Sequence, residues 1–284
     1  MEKRVKKTLK GVLKFAVTSI AFYIVFSKIS WEQVRDLLFK ANPIYLFLAT
    51  IFFIISKVLS AIRLHAFFRC INLEITTKYH LRLYWIGMFY NLFLPGGIGG
   101  DGYKIYLLNK QYGIKVRSLV QATFIDRISG LVSLLFLAGL GLLLLDLATF
   151  PTWFKYLNLA CLMLIFPVFY LSSNLLFKSF IDEVPKSILW SVGVQLMQVI
   201  SALLILMAIG IFKDQLAYGV LFLISSFVSI LPFTIGGLGS REITFLLGFQ
   251  YFGIAESYSI ALSLLFTLIT ALVSFGGVFV KVKS

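Results

Sequence analysis

Charge is what this sequence has least of. Only 13% of its 284 residues are Asp, Glu, Lys or Arg, about half the ~25% of a soluble domain. With 60% hydrophobic residues and a mean hydropathy of +0.94, the chain suits the bilayer as its solvent. Acid is scarcer than base, 12 residues against 26, for a net charge of +14. In a soluble chain that excess would point to nucleic acid. Here basic loops are what orient a membrane protein, and they attract anionic lipid headgroups, so no nucleic-acid partner is expected. Cysteine is nearly absent. Cys70 and Cys161 are far apart and lie in or beside apolar segments, which excludes a disulfide framework and a zinc site. The two histidines, His65 and His80, read as part of a basic loop without metal-ligand spacing, and neither metal nor cofactor is expected. No small-residue cleavage site follows the basic start MEKRVKKTLK and the apolar run 11–27, because Lys28, Trp31 and Glu32 come next. That run reads as a retained helix, not a signal peptide.

What is present is a series of long apolar segments with charges clumped between them, the pattern of an all-α polytopic membrane protein. Full-length helices are expected over 11–27, 43–62, 117–145, 152–174, 187–211 and 257–280. Two further regions, 80–110 and 216–250, are apolar but broken near their middles by Pro and Gly. Their halves are too short for a ~30 Å hydrocarbon core at ~1.5 Å per residue, so each is expected to be a re-entrant hairpin, making six full crossings plus two hairpins. Two tilted, nearly complete helices would give the same topology. If each hairpin returns to the side it came from, the segments 1–10, 63–82, 105–117, 174–186 and 281–284 share one side and hold sixteen Lys and Arg. The other side holds five. The positive-inside rule then places both termini in the cytoplasm.

The segment LPGGIGGDGYK, Leu94 to Lys104, returns as LPFTIGGLGSR, Leu231 to Arg241, at an offset of 137 residues with six of eleven positions identical. The same offset carries 43–62 onto about 180–199 and 117–145 onto 254–282. The chain therefore reads as one membrane domain, 1–284, with internal repeats of about 1–145 and 146–284. Each has three crossings, an odd number, so the second copy is upside down. Inverted repeats with matched broken helices point to a transporter site near the midplane. Glycine-rich stretches also serve helix packing alone. The repeated LPxxIGGxG goes further, because Pro removes a backbone donor and paired glycines permit positive φ, so both copies are expected to stop a helix at matched depth. Gly99, Gly100, Gly236 and Gly237 are expected at these breaks, and unwound backbone survives at membrane depth only where protein or a wet cavity satisfies it.

The charged residues within these segments are the candidate headgroup-binding set: Asp101 and Lys104 after the first break, Arg241 and Glu242 after the second, Asp126 and Arg127 in the long third helix, and Asn91 just before the first break. Helix N-termini favour anions, and Lys104 or Arg241 would add full charge there. Lys104 and Arg241 are expected to face a shared polar cavity. Asp126 and Arg127 read equally as a structural ion pair or as lining, with Asp126 paired to Lys104 or Arg241. Glu242 either neutralises Arg241 or takes a proton. Lys57 is expected to snorkel or to bond another helix, and Arg63 to be topological.

On NLFLPGGIGGDGYKIYLL (91–108), FIDRISGLVSLL (124–135) and LPFTIGGLGSREITFLL (231–247), the chain resembles the flippase-like membrane domain found N-terminal in lysylphosphatidylglycerol synthases and as stand-alone proteins. The likeness covers essentially the whole chain. It implies translocation of lipids with charged or glycosylated headgroups, such as aminoacylated phospholipids or polyprenyl-linked intermediates, in a cell membrane. Ser284 leaves no room for the soluble aminoacyl-transferase domain of the full synthases, so aminoacylation is not expected here and a separate lipid-modifying enzyme is a candidate partner.

A lipid flippase or scramblase is thus the first expectation, without catalysis. A membrane-embedded glycosyltransferase using polyprenyl-phosphate sugar would need acids at an aqueous face, whereas only Asp101, Asp126 and Glu242 lie in the membrane region and no loop carries DxD. A small-anion transporter on the same architecture is the third.

Overall fold

The computed structural model describes residues 31–93, 99–145, 151–230, 241, 243–245, 248 and 252–280. All regular structure among them is helical. The helices are α1 (Trp31–Lys40), α2 (Pro43–Arg69), α3 (Thr77–Phe93), α4 (Gly99–Tyr112), α5 (Val116–Leu144), α6 (Thr152–Leu176), α7 (Val184–Ala208), α8 (Gln215–Ile230) and α9 (Glu256–Phe275), with 3-10 turns at Lys178–Glu183 and Gly276–Phe279. Five are long and apolar enough to cross a membrane: α2, α5, α6, α7 with its preceding 3-10 turn, and α9 with its following one. The protein is a multi-pass helical membrane protein. The expected helix 11–27 and the expected breaks at 94–98 and 231–240 lie outside the described residues.

Helix α2 begins where Asn42 accepts a hydrogen bond from Ile44 N at 2.9 Å with Pro43 in the first turn. The cap satisfies an orphan donor, and proline costs nothing there. Sequence placed the end of this helix near 62 because Arg63, His65 and Arg69 look like a loop. In the structure the helix continues to Arg69, and Arg63 and His65 are buried. The apolar run resumes after Arg63 as Leu64, Ala66, Phe67 and Phe68, which keeps those turns inside. His80 belongs to α3, and its ring stacks on that of His65 at 5.0 Å and 13°. These two histidines are core residues, not loop residues.

The helices α2 and α7 run antiparallel through the centre. Asn42 N donates to Ala208 O at 2.8 Å, Ser201 Oγ to Ala49 O at 2.8 Å, and Arg63 Nη1 to Ser191 Oγ at 2.6 Å. Small residues let the backbones approach: Ser56, Ser60 and Ala61 on α2, Ser187, Ser191 and Ala202 on α7, all buried. Their hydroxyls are satisfied within their own helices, as with Ser56 to Phe53 O at 2.7 Å and Ser187 to Val184 O at 2.7 Å.

The helices α3 and α4 also pair antiparallel. The Tyr79 hydroxyl donates to Gln111 Oε1, and its ring lies 5.9 Å from that of Tyr112, so the start of α3 meets the end of α4. At the other end Gly100 N donates to Asn91 Oδ1 at 2.8 Å. Between these points Gly87 and Gly100 touch so closely that a Cβ on Gly100 would fall 1.9 Å from Gly87 O.

Candidate functional site

The interior charges on α2, α4 and α5 and at Arg241 each have a partner, because a charge in an apolar setting is costly alone and the small-residue seams leave room for one. Asp101, in the first turn of α4, is 9% exposed. Its Oδ1 lies 2.7 Å from Lys104 Nζ one turn on, and its Oδ2 lies 2.5 Å from Arg127 Nη2 and 2.6 Å from Arg127 Nε on α5. Lys104 extends over Gly87, with Nζ 4.8 Å from the Tyr84 ring centroid. Glycine at 87 makes room for this chain, since a Cβ there would meet Lys104 Cε at 3.2 Å.

One helical step from Arg127, Asp126 turns toward α2. Its carboxylate takes a two-pronged contact from Arg63, Nε to Oδ1 at 2.8 Å and Nη2 to Oδ2 at 3.2 Å. This is the planar fork that guanidinium forms with carboxylate. The third prong, Nη1, reaches Ser191 on α7, whose oxygen lies 3.3 Å from Ser129 Oγ. The fork fits because residue 130 is glycine: a Cβ there would stand 3.1 Å from Arg63 Nη1. The pairing differs from the sequence expectation. Asp126 bonds to Arg63, not to Lys104 or Arg241, and Arg63 is a buried tie among α2, α5 and α7, not a topological charge. The resumption of the apolar run after residue 63 is the signal that could have shown it.

A second group of cations rests on aromatic rings. The Arg241 guanidinium lies 4.9 Å from the Phe266 centroid and 5.2 Å from the Phe222 centroid, and its Nη2 reaches Ser226 Oγ at 3.3 Å. Lys57 Nζ stands 4.6 Å over Phe53, whose ring packs edge-on against Phe266 at 5.5 Å. Ring faces attract cations in a desolvated setting. Lys57 therefore does not snorkel; it shares one aromatic cluster with Arg241. Sequence reasoning missed Phe53, Phe222 and Phe266, because phenylalanines in a Phe-rich membrane chain carry no individual signal.

Of the expected site residues, Asp101, Lys104 and Arg127 form one cluster, with Asn91 joined to its helix start through Gly100. Asp126 forms the second with Arg63, and Arg241 the third with Lys57. Gly99 and Gly100 lie in the first turn of α4, without positive φ. Among the described glycines that conformation occurs at Gly113, Gly210 and Gly253. The reason for glycine at 100 is its contact with Gly87. Gly236, Gly237 and Glu242 lie outside the described residues.

A polytopic helical bundle with ion pairs and ring-bound cations inside its apolar spans is a membrane protein built around a polar interior. The chain belongs to the family described as lysylphosphatidylglycerol synthase TM region, which it matches over residues 11–277. Comparison with curated proteins gives no match.

Proposed function

We propose that the protein is a flippase or scramblase for lipids with anionic, aminoacylated or polyprenyl-phosphate-linked headgroups, acting in the cell membrane as a transporter and not as an enzyme. One observation carries this reading. Every described cluster of interior charge contains a basic side chain: Arg63 on Asp126, Lys104 and Arg127 on Asp101, and Arg241 and Lys57 on phenylalanine rings. Basic side chains are costly in a low-dielectric interior, and an interior lined with them is suited to receive an anionic headgroup.

The architecture supports the same reading. Shifted by 137 residues, α3 falls on 214–230, against Gln215–Ile230 for α8; α2 falls on 180–206, against α7; and α5 falls on 253–281, against α9 with its 3-10 turn. The antiparallel packing of α2 on α7 is what an axis in the membrane plane requires of equivalent helices. Re-entrant hairpins are supported by length: α3 with 17 residues, α4 with 14 and α8 with 16 reach about 21–26 Å at ~1.5 Å per residue, short of a ~30 Å core. A lipid-modifying enzyme supplying the substrate is the partner this reading implies.

The test is lipid movement in proteoliposomes with fluorescent anionic lipid, with and without a proton gradient. The parent should move lipid and Arg241→Gln should not, while Arg241→Lys keeps part of the rate because charge remains and the fork is lost. Movement by Arg241→Gln at the parent rate would end the cationic-interior mechanism, and uptake of small anions without lipid movement would replace the lipid by a soluble solute.

A further inference from the structure

Lys57 occupies the middle of α2, fourteen residues after Pro43 and twelve before Arg69, about 21 and 18 Å from the two ends at ~1.5 Å per residue. Neither end is within reach of its four-carbon stem, so the ammonium cannot snorkel to the interface. Lys104 is held by Asp101 at 2.7 Å. Among the described residues Lys57 forms no ion pair and donates no hydrogen bond, and its contact is the face of the Phe53 ring at 4.6 Å. The nearby hydroxyls are turned back on their own helix, Ser56 to Phe53 O and Ser60 to Ser56 O. Arg241 and Arg63 are close enough for their charges to act on it, but neither supplies an acceptor. A ring face holds a cation in place without using its N–H donors, and an ammonium has three. The side chain is half-buried, so it is not sealed in the core.

We propose that Lys57 is the mid-membrane receptor for the phosphate of a lipid headgroup, its ammonium turning from the Phe53 ring to hydrogen-bond the phosphate oxygens. This rests on the transport reading above and names the residue that holds the headgroup half-way across. A compact ammonium on a flexible stem can follow a moving phosphate. The Arg63 fork cannot do so without leaving the Asp126 carboxylate unpaired in the low dielectric. Lys57 is tied to no described carboxylate, so its turning leaves no buried charge behind. The ring marks its position in the empty protein.

The experiment offers the protein in detergent micelles an equimolar mixture of phosphatidylglycerol and diacylglycerol with the same acyl chains, and native mass spectrometry measures which lipid it retains. The parent should prefer phosphatidylglycerol. Lys57→Met should lower the preference about tenfold, the low end of what a hydrogen bond to a charged group contributes, and Lys57→Arg should keep most of it. Inorganic phosphate in the buffer should not relieve the preference. Thermal unfolding separates this role from a structural one: Lys57→Met should melt at or above the parent midpoint, because no ion pair is lost and methionine keeps a contact to the ring through its sulfur. A preference unchanged in Lys57→Met, its relief by inorganic phosphate, which would make the ligand a free anion, or a lower midpoint, which would give the ammonium a structural partner, would each overturn the receptor. Lipid movement by a parent without the Lys57-dependent preference would sink the receptor and leave the transport reading; the preference without movement would do the reverse.

Discussion

At the scale of single residues, the Arg63–Asp126 fork is the contact whose loss is felt most. Both groups are buried, on α2 and α5, and Arg63 also holds Ser191 on α7. Arg63→Gln leaves a carboxylate in an apolar interior without its cation, which costs about 3–5 kcal/mol for a buried pair broken on one side. Replacing both partners by apolar residues of similar volume, Arg63→Met with Asp126→Leu, should recover most of that loss, since neither charge then needs solvation. Unfolding titrations in SDS would measure it, with Arg117→Gln, exposed at the start of α5, as the neutral comparison. A double variant as unstable as Arg63→Gln alone would remove the fork from the account of stability. Sequence marked Asp126 and Arg127 as costly charges in need of partners. It did not reveal the partners, because Arg63 is 63 positions away and only the packing of α2 against α5 brings it near.

At the scale of elements, the α3–α4 hairpin depends on the absence of a side chain at its closest approach. A Cβ on Gly100 would lie 1.9 Å from Gly87 O and 2.5 Å from Gly87 C. That is backbone against backbone, which no rotamer change relieves. Gly100→Ala should part the two helices, break the Asn91 contact to Gly100 N and destabilise by at least the ~1–3 kcal/mol typical of overpacking. Gly102→Ala, with open space at its Cβ, should be neutral or slightly stabilising, as alanine is the better helix former. Thermal unfolding in detergent of the two variants checks this, and equal midpoints would refute the close-contact reading. The helices themselves were largely legible: α2, α5, α6, α7 and α9 fall on the apolar runs, because bilayer thickness fixes their length. Gly113 ends α4 in the left-handed conformation with its N bonded to Asn109 O at 3.0 Å, and the sequence reading did not single it out. The role of Gly100 was not legible either, since sequence offers backbone freedom as the reason for a glycine and only the fold shows which neighbour would be struck. The short α1 was missed too, being outside the long apolar runs on which the reading relied.

At the scale of the whole molecule, the helices and the interior charges follow the 137-residue offset differently. The 137-residue offset relates helix to helix, yet of the interior charges it matches only Lys104 with Arg241. Asp101, Asp126, Arg127 and Arg63 correspond to Leu238, Ser263, Leu264 and Ile200. The carboxylates of the described ion pairs, Asp101 and Asp126, thus stand at positions that the offset does not repeat. The ends of the molecule bear on how this scaffold lies in a membrane. Phe67 at the end of α2 packs on Phe180 in the 3-10 turn before α7 at 6.1 Å, and Cys70 is close enough to Glu183 and Asp182 for their charges to act on it. The basic segments 63–82 and 174–186 therefore share one end, while the Asn42 N to Ala208 O bond closes the other. The charge rule assigns the first end to the cytoplasm. With both termini on that side, Glu256→Cys at the start of α9 should react with a membrane-impermeant maleimide on intact cells, and Ser284→Cys only after permeabilisation. The native Cys70 contributes little background, because burial, with Glu183 and Asp182 beside it, pushes its thiol above the usual range and keeps it protonated. Cys161, exposed on α6, is replaced by alanine. Labelling of Ser284→Cys in intact cells would put the C-terminus outside, which an even number of crossings with a cytoplasmic N-terminus does not allow, and one hairpin would then have to be a full crossing.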